Sequence, residues 1–294
     1  MNTIAVIGAT GEVGFRLVRA LHSSHRVIAI VRSLEKRNFS LYPSVEVRRV
    51  DDISNVDGLA ASLDGCEAII NTGYIWFAEH IHKAMLQSGA SIRHIVFTGS
   101  TGIFTSLPSE SAERKRVAER FIQERFHCPW TIIRPTMIYG HKDDRNISRL
   151  VRAVAQYPAM PLIGSGNSLI QPVLIHDLVK AYVMALLNSK YYNKSYNIGG
   201  SKAYSNRELI ACAASSMGRQ TRLIPFPAAL VRSGVALLSM VGLSPISREQ
   251  VQRFQENKNI DLTPFVTDFD YVPRDFEQGV EFLIRDMKEH GLLR

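Results

Sequence analysis

Three glycines near the beginning of the chain constrain its fold more than any other feature. Within Ile4–Leu21, Gly8, Gly11 and Gly14 lie three residues apart, between an apolar run and a stretch whose apolar residues have helical spacing. An apolar run, a glycine turn and an amphipathic segment in this order are typical of a strand that passes directly into a helix. The chain is therefore predicted to begin with a β-α unit.

The glycine turn is suited to an anionic ligand. Glycine lets the backbone approach a ligand closely, and the amides that open a helix present hydrogen-bond donors and a partial positive charge. At the first strand–helix junction of a β-α-β pattern, this combination is typical of a dinucleotide diphosphate site. The spacing GxxGxxG differs from the GxGxxG of many dehydrogenases, and a packing turn without a ligand is the alternative.

Short runs of β-branched apolar residues alternate with segments of helical spacing over the first half of the chain. The predicted strands are Thr3–Ile7, Arg26–Val31, Val45–Val50, Ala68–Asn71, His94–Thr98 and Thr131–Arg134. The predicted helices are Gly11–His22, Val56–Leu63, Trp76–Ser88, Ser111–Phe126 and Asn146–Tyr157. This alternation predicts an α/β fold with a doubly wound parallel sheet, the Rossmann architecture.

Prolines become frequent beyond about residue 158, where the helices are expected to be shorter. We predict a dinucleotide-binding domain over residues 1–157, with residues 171–198 returning to its sheet. Residues 158–170 and 199–294 are predicted to form a smaller substrate-side domain. A chain of 294 residues is long enough for both parts.

The charge of the chain favours an anionic partner. It has 35 Lys and Arg against 27 Asp and Glu, a formal net charge of +8. The basic residues are scattered, without a basic tail or an interleaved aromatic pattern, so a phosphorylated small molecule is favoured over nucleic acid. A homodimer is a candidate assembly.

The cysteines and the chain start favour a reducing compartment. Cys66, Cys128 and Cys212 form no CxxC pair, which argues against a disulfide framework or a zinc site. No HExxH motif or nucleophile elbow is present, so metal-dependent and hydrolase chemistry is disfavoured. The first residues lack a signal-peptide pattern, and a cytoplasmic protein is expected.

One apolar segment, Ala228–Leu243, tests the expectation of a soluble protein. It is shorter than the roughly 20 residues of a membrane span, and Arg232 interrupts it. A buried helix is predicted, so that membrane contact is not expected. A membrane-surface contact, an apolar substrate such as a quinone, or a partner surface are the alternatives.

Several later segments agree with one family pattern. They are VFTGSTGIF (Val96–Phe104), KRVAER (Lys115–Arg120), IIRPTMIYG (Ile132–Gly140), QPVLIHDLVKAYVMAL (Gln171–Leu186), SYNIGG (Ser195–Gly200) and SNRELI (Ser205–Ile210). Together with the glycine turn, they resemble the NAD-dependent epimerase/dehydratase branch of the short-chain dehydrogenase/reductase superfamily. The resemblance spans nearly the whole chain. It implies a nicotinamide dinucleotide and an oxidoreductase or epimerase activity.

The end of the second predicted strand bears on which nucleotide is bound. NAD-specific folds usually place Asp or Glu there, against the ribose 2′-hydroxyl, whereas a 2′-phosphate requires a cation. Arg32 stands at this end, with Ser33, Lys36 and Arg37 following, and Glu35 is the acidic counter-candidate. Because a guanidinium can bind phosphate through two hydrogen bonds, NADP is predicted rather than NAD. A solvated loop is the alternative for Lys36 and Arg37.

The resemblance implies further contacts to the cofactor. Asp51 or Asp52 would meet the adenine amino group, with a helix N-cap role as the alternative, and Asn71 to Gly73 would pass the ribose. The expected cofactor-binding residues are Gly8, Thr10, Gly11, Glu12, Val13, Gly14, Arg32, Lys36, Asp51, Asp52, Asn71, Thr72, Gly73, Thr98, Lys115, Pro135 and Met137.

The resemblance breaks at the catalytic tyrosine. The superfamily uses a Ser or Thr followed by Tyr-xxx-Lys, in which the tyrosine hydroxyl exchanges a proton with the substrate oxygen. None of the ten tyrosines of this chain has Lys four positions later. Lys115 falls on the family lysine, Ser111 on the tyrosine, and Ser100 on the substrate-binding serine, for which a capping role is the alternative.

Three hypotheses follow from the missing tyrosine. Tyr74 or Tyr139, each after a predicted strand, could supply a displaced acid, although each could instead be a packed ring. Alternatively, a water chain through Ser100 and Ser111 could carry the proton. In the third hypothesis, the chain binds NADP without turnover, as a regulatory or assembly protein.

The family pattern also implies a substrate site. The branch commonly acts on nucleoside-diphosphate sugars, and the net charge of +8 is compatible with a diphosphate. The implied substrate residues are Arg145, Asn146, Arg149, Gln171 and His176. For the charged loop that contains Arg145 and Asn146, the alternative is a solvated turn that opens a helix, with the side chain of Asp144 or Asn146 as the helix cap. His176 and Asp177 could form an acid–base pair or a cap beside a packed or surface histidine.

Overall fold

The computed structural model describes residues 1–33, 37–144, 146–227 and 256–293. The strands are β1 (Thr3–Ile7), β2 (Arg26–Val31), β3 (Val45–Arg49), β4 (Ala68–Asn71), β5 (His94–Thr98), β6 (Trp130–Pro135), β7 (Ile138–Tyr139), β8 (Ala159–Ile163), β9 (Leu169–Ile170), β10 (Val173–Leu174), β11 (Lys194–Ile198), β12 (Tyr204–Ser205) and β13 (Arg222–Phe226). The α-helices are α1 (Glu12–Leu21), α2 (Val56–Ser62), α3 (Ala78–Ser88), α4 (Glu110–Arg125), α5 (Ile147–Gln156), α6 (Ile175–Ala185), α7 (Asn206–Ser215), α8 (Thr263–Phe269) and α9 (Phe276–Glu289). Short 3-10 helices cover Ile75–Phe77, Thr101–Phe104 and Ser189–Tyr191.

The described residues form a seven-stranded parallel sheet in the order β11-β6-β5-β4-β1-β2-β3. Pairing is continuous across the centre, where Ile4 of β1 aligns with Val27 of β2 and with Ala68 of β4. The direction of strand addition reverses at β1, so the crevice beside the carboxyl ends of β1 and β4 is the switch point of the sheet. The predicted Rossmann fold is confirmed.

The central strands are almost entirely apolar because helices cover both faces of the sheet. Ile4 to Ile7 of β1 are fully buried, as are Val27 and Ile28 of β2. One core cluster packs these strands against α2 and α3 through side chains such as Leu59 and Ile81. The alternation of apolar strands with amphipathic helices thus predicts the architecture directly.

Contacts divide the chain into two compact units. The first comprises residues 1–135, 176–198 and 262–271, and the second residues 136–175, 199–261 and 272–294. Residues 136–157, expected in the dinucleotide-binding domain, lie in the second unit. Within the second unit, β7 pairs with β10, β9 with β12 and β8 with β13. The predicted assignment of substrate binding to a smaller domain remains a prediction.

Several expectations concern features other than the sheet. Cys66, Cys128 and Cys212 are free thiols, and burial raises the pKa of Cys66 and Cys128 to about 11. In the described residues, no helix has the length and apolar character needed to cross a bilayer. The apolar segment Ala228–Leu243 lies outside the described residues.

Candidate functional site

A cleft of about 580 Å³ opens in the first unit at the carboxyl ends of its central strands. It is lined by Ile7, Gly8, Thr10, Gly11, Ile30, Val31, Arg32, Val50, Asp52, Ile53, Thr72, Gly73, Tyr74, Ile75, Trp76, Phe77, Thr98, Gly99 and Lys115. This is the position where open parallel α/β sheets bind their ligands. Nine of the residues predicted to bind a cofactor line it: Gly8, Thr10, Gly11, Arg32, Asp52, Thr72, Gly73, Thr98 and Lys115.

The glycine turn forms one wall of the cleft and needs two of its glycines for steric reasons. Gly8 has φ +79°, and a Cβ there would lie 2.8 Å from Thr72 Oγ1. A Cβ on Gly14 would lie 2.3 Å from the carbonyl oxygen of Gly8, so α1 and the turn approach at backbone distance. Gly11 is the N-cap of α1, and no described side chain caps that end. The first amides of α1 therefore remain suited to an anion.

Glu12 stands at the same helix end, where a carboxylate opposes a bound phosphate. Its carboxylate accepts hydrogen bonds from Arg16 and from Arg37. Arg37 also lies over the ring of Phe15, with its Cζ 4.8 Å from the ring centroid. The two guanidiniums offset the charge of Glu12. Arg37, one of the cations considered for the 2′-phosphate, is thus anchored on α1.

The opposite end of the cleft contains Arg32 and Asp52. Arg32 is exposed and follows β2 directly, as the sequence predicts. The backbone amide of Ser54 donates to Asp52 Oδ1 at 2.9 Å, and hydrogen bonds from Ser54 lower the pKa of Asp52. Asp51, in contrast, is exposed and paired with Arg49 at 2.7 Å. Lys36 and Glu35 lie outside the described residues.

Neither acid caps the following helix, so the alternative role considered for them is not observed. Asn55 is the N-cap of α2, and its side chain accepts from the amide of Gly58 at 3.1 Å. Asp52 thus remains an acceptor at the rim of the cleft, beside the apolar side chains of Val50 and Ile53.

The ends of β4 and β5 are tied together by a chain of hydroxyl groups. Thr98 Oγ1 donates to the carbonyl of Asn71 at 2.8 Å. Its single proton is used there, so the hydroxyl of Tyr182 donates to Thr98 Oγ1 at 2.6 Å. Burial raises the pKa of Tyr182 well above its usual value. Asn71 Oδ1 accepts from the Gly73 amide at 3.0 Å and fixes the turn that passes the cleft.

Two side chains of the predicted catalytic set form a hydrogen bond at the cleft, and the third, Ser100, lies in the turn beside the same lysine. Lys115 Nζ donates to Ser111 Oγ at 3.0 Å, one helical turn away on α4. Ser100 Oγ accepts from the Gly102 amide at 3.1 Å, so the capping alternative for Ser100 is realised. A Cβ on Gly102 would lie 3.2 Å from Ser100 Oγ and 4.0 Å from Lys115 Nζ. A hydroxyl that accepts through its oxygen can still donate its proton to a ligand.

A buried ion pair holds α4 against the sheet. Arg134 at the end of β6 donates through Nε to Glu119 Oε1 at 3.0 Å and through Nη2 to Glu119 Oε2 at 2.5 Å. The pair fills the space beside Gly99, where a Cβ would lie 2.9 Å from Glu119 Oε1. Glu119 is one turn beyond Lys115, so the pair sets the position of the lysine.

The two tyrosines proposed as displaced acids have different surroundings. Tyr74 lines the cleft, is 63% exposed and stacks on Trp76. Tyr139 is fully buried in the second unit, where it packs against Phe276 and its hydroxyl lies 3.4 Å from the carbonyl oxygen of Asp275. Tyr139 therefore belongs to a packed core and does not line the cleft.

The predicted substrate residues are dispersed. Gln171 is buried in the second unit, where its Nε2 donates to the Gly200 carbonyl at 2.7 Å and its Oε1 accepts from the Ile260 amide at 2.8 Å. Asn146 and Arg149 are exposed there, and Arg145 lies outside the described residues. His176 is exposed in the first unit.

The structure also distinguishes between the alternatives given above for the turn before α5 and for the adjacent residues His176 and Asp177. Asn146 is at the N-cap position of α5 but its side chain makes no capping bond; instead Asp144 Oδ1 accepts from the amides of Asn146 at 3.0 Å and Ser148 at 2.9 Å. Asp177 is fully buried and accepts from the Tyr271 hydroxyl at 2.7 Å, whereas its neighbour His176 is exposed. The two residues therefore have different surroundings, as expected for adjacent positions on a helix.

Four further predicted cofactor residues, Val13, Gly14, Pro135 and Met137, do not line the cleft. Gly14 packs the turn, Pro135 accepts a hydrogen bond from Thr101 Oγ1 at 3.2 Å, and Met137 packs on a core of the second unit. Trp76 and Arg114 are not among the predicted site residues, yet the guanidinium of Arg114 lies over the Trp76 ring. The only local signal is a second aromatic residue two positions after Tyr74.

The arrangement fits a dinucleotide in extended form. The uncapped amides of α1 suit a diphosphate, and Arg32, Asp52 and Lys115 line the same cleft. Within the described residues, no group of three or more His, Cys, Asp or Glu is placed to hold a metal ion.

A model of one protein family, described as NAD(P)H-binding, matches residues 8–156. The chain is 21% identical over 322 residues to an N-acetyl-alpha-D-glucosaminyl-diphospho-ditrans,octacis-undecaprenol 4-epimerase of Escherichia coli O157:H7, covering 95% of this chain and 93% of that one. It is 27% identical over 223 residues to NADH dehydrogenase (ubiquinone) 1 alpha subcomplex subunit 9, mitochondrial, of Arabidopsis thaliana, covering 72% of this chain and 55% of that one.

Solved structures share the fold over nearly the whole chain. A UDP-glucose 4-epimerase from Thermotoga maritima, solved with UDP-glucose, has a TM-score of 0.74 at 14% identity and covers 98% of this chain and 99% of its own. A UDP-glucose 4-epimerase of Thermus thermophilus, solved with NAD, has a TM-score of 0.72 at 14% identity, with coverage of 97% and 99%.

Proposed function

This chain belongs to the NAD(P)H-binding family, and on that premise we propose that it is an NADP-dependent oxidoreductase or epimerase of the epimerase/dehydratase type. The observation that carries the proposal is the hydrogen bond of 3.0 Å between Lys115 Nζ and Ser111 Oγ at the cleft that the glycine turn borders. Lys115, which the sequence resemblance aligns with the family lysine, thus lies beside a hydroxyl group, although that hydroxyl belongs to serine.

The proposed cofactor site uses backbone at its centre and side chains at its ends. The amides of Glu12, Val13 and Gly14 at the start of α1 would hold the diphosphate. Arg32 would bind the 2′-phosphate, and Asp52 would accept from the adenine amino group. When bound, the nicotinamide supplies or accepts hydride at C4.

The side chains at the reacting end would handle the proton. Because Lys115 donates to Ser111 Oγ, the hydroxyl proton of Ser111 can be directed at a substrate oxygen. Transfer of that proton, with replacement from Lys115, would neutralise the oxygen as hydride arrives. Ser100 would donate a second hydrogen bond to the same oxygen. A serine hydroxyl is a much weaker acid than a tyrosine, whose ordinary pKa is about 10, so this relay is expected to be slow.

Nucleoside-diphosphate sugars are the first substrate class to test. The Escherichia coli relative is named as an epimerase of a sugar joined to a lipid diphosphate, and the Thermotoga structure contains UDP-glucose. The formal net charge of +8 is compatible with such an anion. The candidate substrate contacts remain Asn146, Arg149, Gln171 and His176, together with Arg145.

A second candidate function is NADP binding without turnover, in a regulatory or assembly role. The observation that favours it is Ser111 in the position of the catalytic tyrosine. The Arabidopsis relative is named as a subunit of a larger complex, which is compatible with such a role.

One experiment separates the two functions. The purified protein is mixed with NADPH or NADP. Nucleotide absorbance is followed with aldehydes and quinones as partners, and conversion of UDP-sugars to oxidised or epimerised products is followed by chromatography, because epimerisation leaves no net change in the nucleotide. Turnover that falls at least about tenfold in Ser111→Ala, with unchanged nucleotide affinity, supports the enzyme. Nucleotide binding without any turnover across the three classes would replace it with the noncatalytic function.

A further inference from the structure

An aromatic stack projects at the rim of the cleft beside the proposed proton relay. The rings of Tyr74 and Trp76 have centroids 4.2 Å apart and planes 13° apart. The guanidinium carbon of Arg114 lies 4.5 Å from the centroid of the Trp76 ring. A ring and a cation this close cannot share one face of the indole, so Trp76 lies between Tyr74 and Arg114. The stack therefore ends in the outer face of Tyr74.

The chain leaves this outer face accessible. Tyr74 is 63% exposed, although large aromatic side chains usually bury most of their surface. It keeps that exposure although one face of its ring is stacked on Trp76, which is itself half-buried. A stacked ring has fewer orientations to lose when another ring binds its free face, so less conformational entropy is lost on binding.

The position of the stack links it to the reacting end of the cleft. Tyr74 follows Gly73 at the end of β4, and both Tyr74 and Trp76 line the cleft. Arg114 immediately precedes Lys115 on α4, so the stack reaches the helix that carries the Ser111–Lys115 pair. Because Lys115 lines the same cleft as Tyr74 and Trp76, a ring bound on Tyr74 would share that cleft with Lys115.

The weak acid at this site also limits the substrates that can react. Hydride addition to a simple ketone produces an alkoxide, whose conjugate acid is about as weak as water, with a pKa of about 16. Such a reaction needs a good general acid. Reduction of a quinone leaves a phenolate, whose conjugate acid has a pKa of about 10, like tyrosine. The phenolate is stable enough to form before it is protonated.

We propose that Tyr74 and Trp76 form a ring-stacking subsite and that the preferred substrate is a flat, conjugated carbonyl compound of the quinone class. This subsite depends on the proposed function, because the ring would react beside Ser111 and Lys115. In the balanced reaction, NADPH and one proton convert the quinone into hydroquinone and NADP⁺. The hydride forms an O–H bond at one quinone oxygen, and its electron pair ends on the opposite oxygen. Lys115, through Ser111, supplies the proton, which water replaces.

The binding test needs no cofactor. The chain has two tryptophans, Trp76 and Trp130, and Trp130 is buried in β6, so a stacked quinone should quench Trp76 emission selectively. The probe is tetramethyl-1,4-benzoquinone, whose substituted ring does not add thiols. We expect saturable quenching in the parent protein and none in Trp76→Phe. In Tyr74→Ala, the Kd of the quinone probe should be about tenfold higher. Tyr157→Ala, which removes an exposed tyrosine outside the cleft lining, is the matched control.

The turnover test uses the same quinone with NADPH, and cyclohexane-1,4-dione as a puckered, unconjugated analogue. We expect turnover of the quinone alone, and a quinone KM in Tyr74→Ala that is about tenfold higher and rises by more than any change in the NADPH Kd. NADPH binding without quinone quenching, or an unchanged KM in Tyr74→Ala, overturns the subsite and leaves the proposed function standing. A weaker NADPH Kd in Tyr74→Ala with an unchanged quinone KM also overturns it. Absence of NADPH binding overturns the proposed function itself.

Discussion

The glycine turn and the Ser111–Lys115 pair border the same cleft but are built in different ways. At the turn, the groups proposed to face the ligand are backbone amides, and the glycines are required because a Cβ at Gly8 or Gly14 would strike neighbouring atoms. At the pair, the groups proposed to react are side chains, which can be exchanged without altering the backbone. Backbone sites are therefore tied to the fold, whereas side-chain chemistry can diverge on an unchanged fold.

The largest expected effect tests the glycine turn, where the backbone would make the contacts to the ligand. Gly14→Ala should remove most of the free energy of unfolding, more than about 3 kcal/mol. The new Cβ would lie 2.3 Å from the Gly8 carbonyl oxygen, and both groups belong to the backbone, so neither can move aside by a side-chain rotation. Gly11→Ala is the matched control, since its Cβ would lie 3.3 Å from the same oxygen. Urea unfolding followed by circular dichroism measures both. Equal stability of Gly14→Ala and the parent would contradict the close approach.

The Ser111–Lys115 pair should tolerate the substitution that introduces the tyrosine of the family pattern. Ser111→Tyr recreates Tyr-xxx-Lys with Lys115 on an exposed turn of α4. We expect kcat for an unconjugated ketone to rise about 100-fold or more over Ser111→Ala, because a better general acid contributes roughly 10²- to 10⁴-fold. Steady-state kinetics with NADPH measures it. If both variants are equally slow at unchanged NADPH affinity, the pair does not handle the proton.

His94, a buried histidine elsewhere in the first unit, makes the stability of the protein depend on pH. The glycine turn and the Ser111–Lys115 pair should therefore be compared at a pH where His94 does not lower the stability. The Leu187 amide donates to His94 Nδ1 at 3.0 Å, so Nε2 carries the proton and donates to Thr131 Oγ1 at 2.9 Å. Burial lowers the pKa of His94 from 6.5 to about 4. The unfolded chain therefore binds this proton first as the pH falls, and stability is lost between pH 6.5 and about 4.

At 1.36 kcal/mol per pH unit, the His94 shift corresponds to a loss of about 3 kcal/mol. Urea unfolding at a series of pH values measures the slope. His94→Leu removes the titrating group, and its stability should depend less steeply on pH over this window. Identical slopes in parent and variant would refute the assignment. Activity profiles of the cleft are accordingly best recorded above pH 6.5.

The smallest expected effect concerns the choice of nucleotide. Arg32→Ala should raise the Kd for NADPH about tenfold or more and leave the Kd for NADH unchanged, because a charged hydrogen bond contributes roughly 1.5–3 kcal/mol. Arg37→Ala is the control: because Arg37 pairs with Glu12, any loss of affinity should be equal for NADPH and NADH. Nucleotide fluorescence titrations measure both. An equal change in the two nucleotides would show that Arg32 does not contact the 2′-phosphate.

The sheet was predictable because its signals are local. The apolar runs of β1, β2 and β4 and the glycine turn fix strands and helix starts to within a residue or two. The predicted helix Trp76–Ser88 is an exception: Ile75–Phe77 forms a 3-10 turn before α3 begins at Ala78. Propensity does not distinguish these two helix types over three residues.

The side chains of the cleft were harder to predict because their partners are distant in sequence. The pairing of Arg37 with Glu12 and the position of Arg114 over Trp76 have no characteristic spacing. Tyr139 follows a predicted strand, as a cleft residue would, yet it packs in a core of the second unit. The spacing of the glycines thus predicted the part of the cleft that is built from backbone, whereas the side-chain contacts could be identified only from the structure.

Calorimetric titration of the purified protein with NADPH tests the central claim most directly. Binding through the α1 amides and Arg32 predicts one site, an affinity that falls as salt is added, and weaker binding of NADH. Heat that is absent with both nucleotides at millimolar concentration would contradict the assignment of the glycine turn as a dinucleotide site.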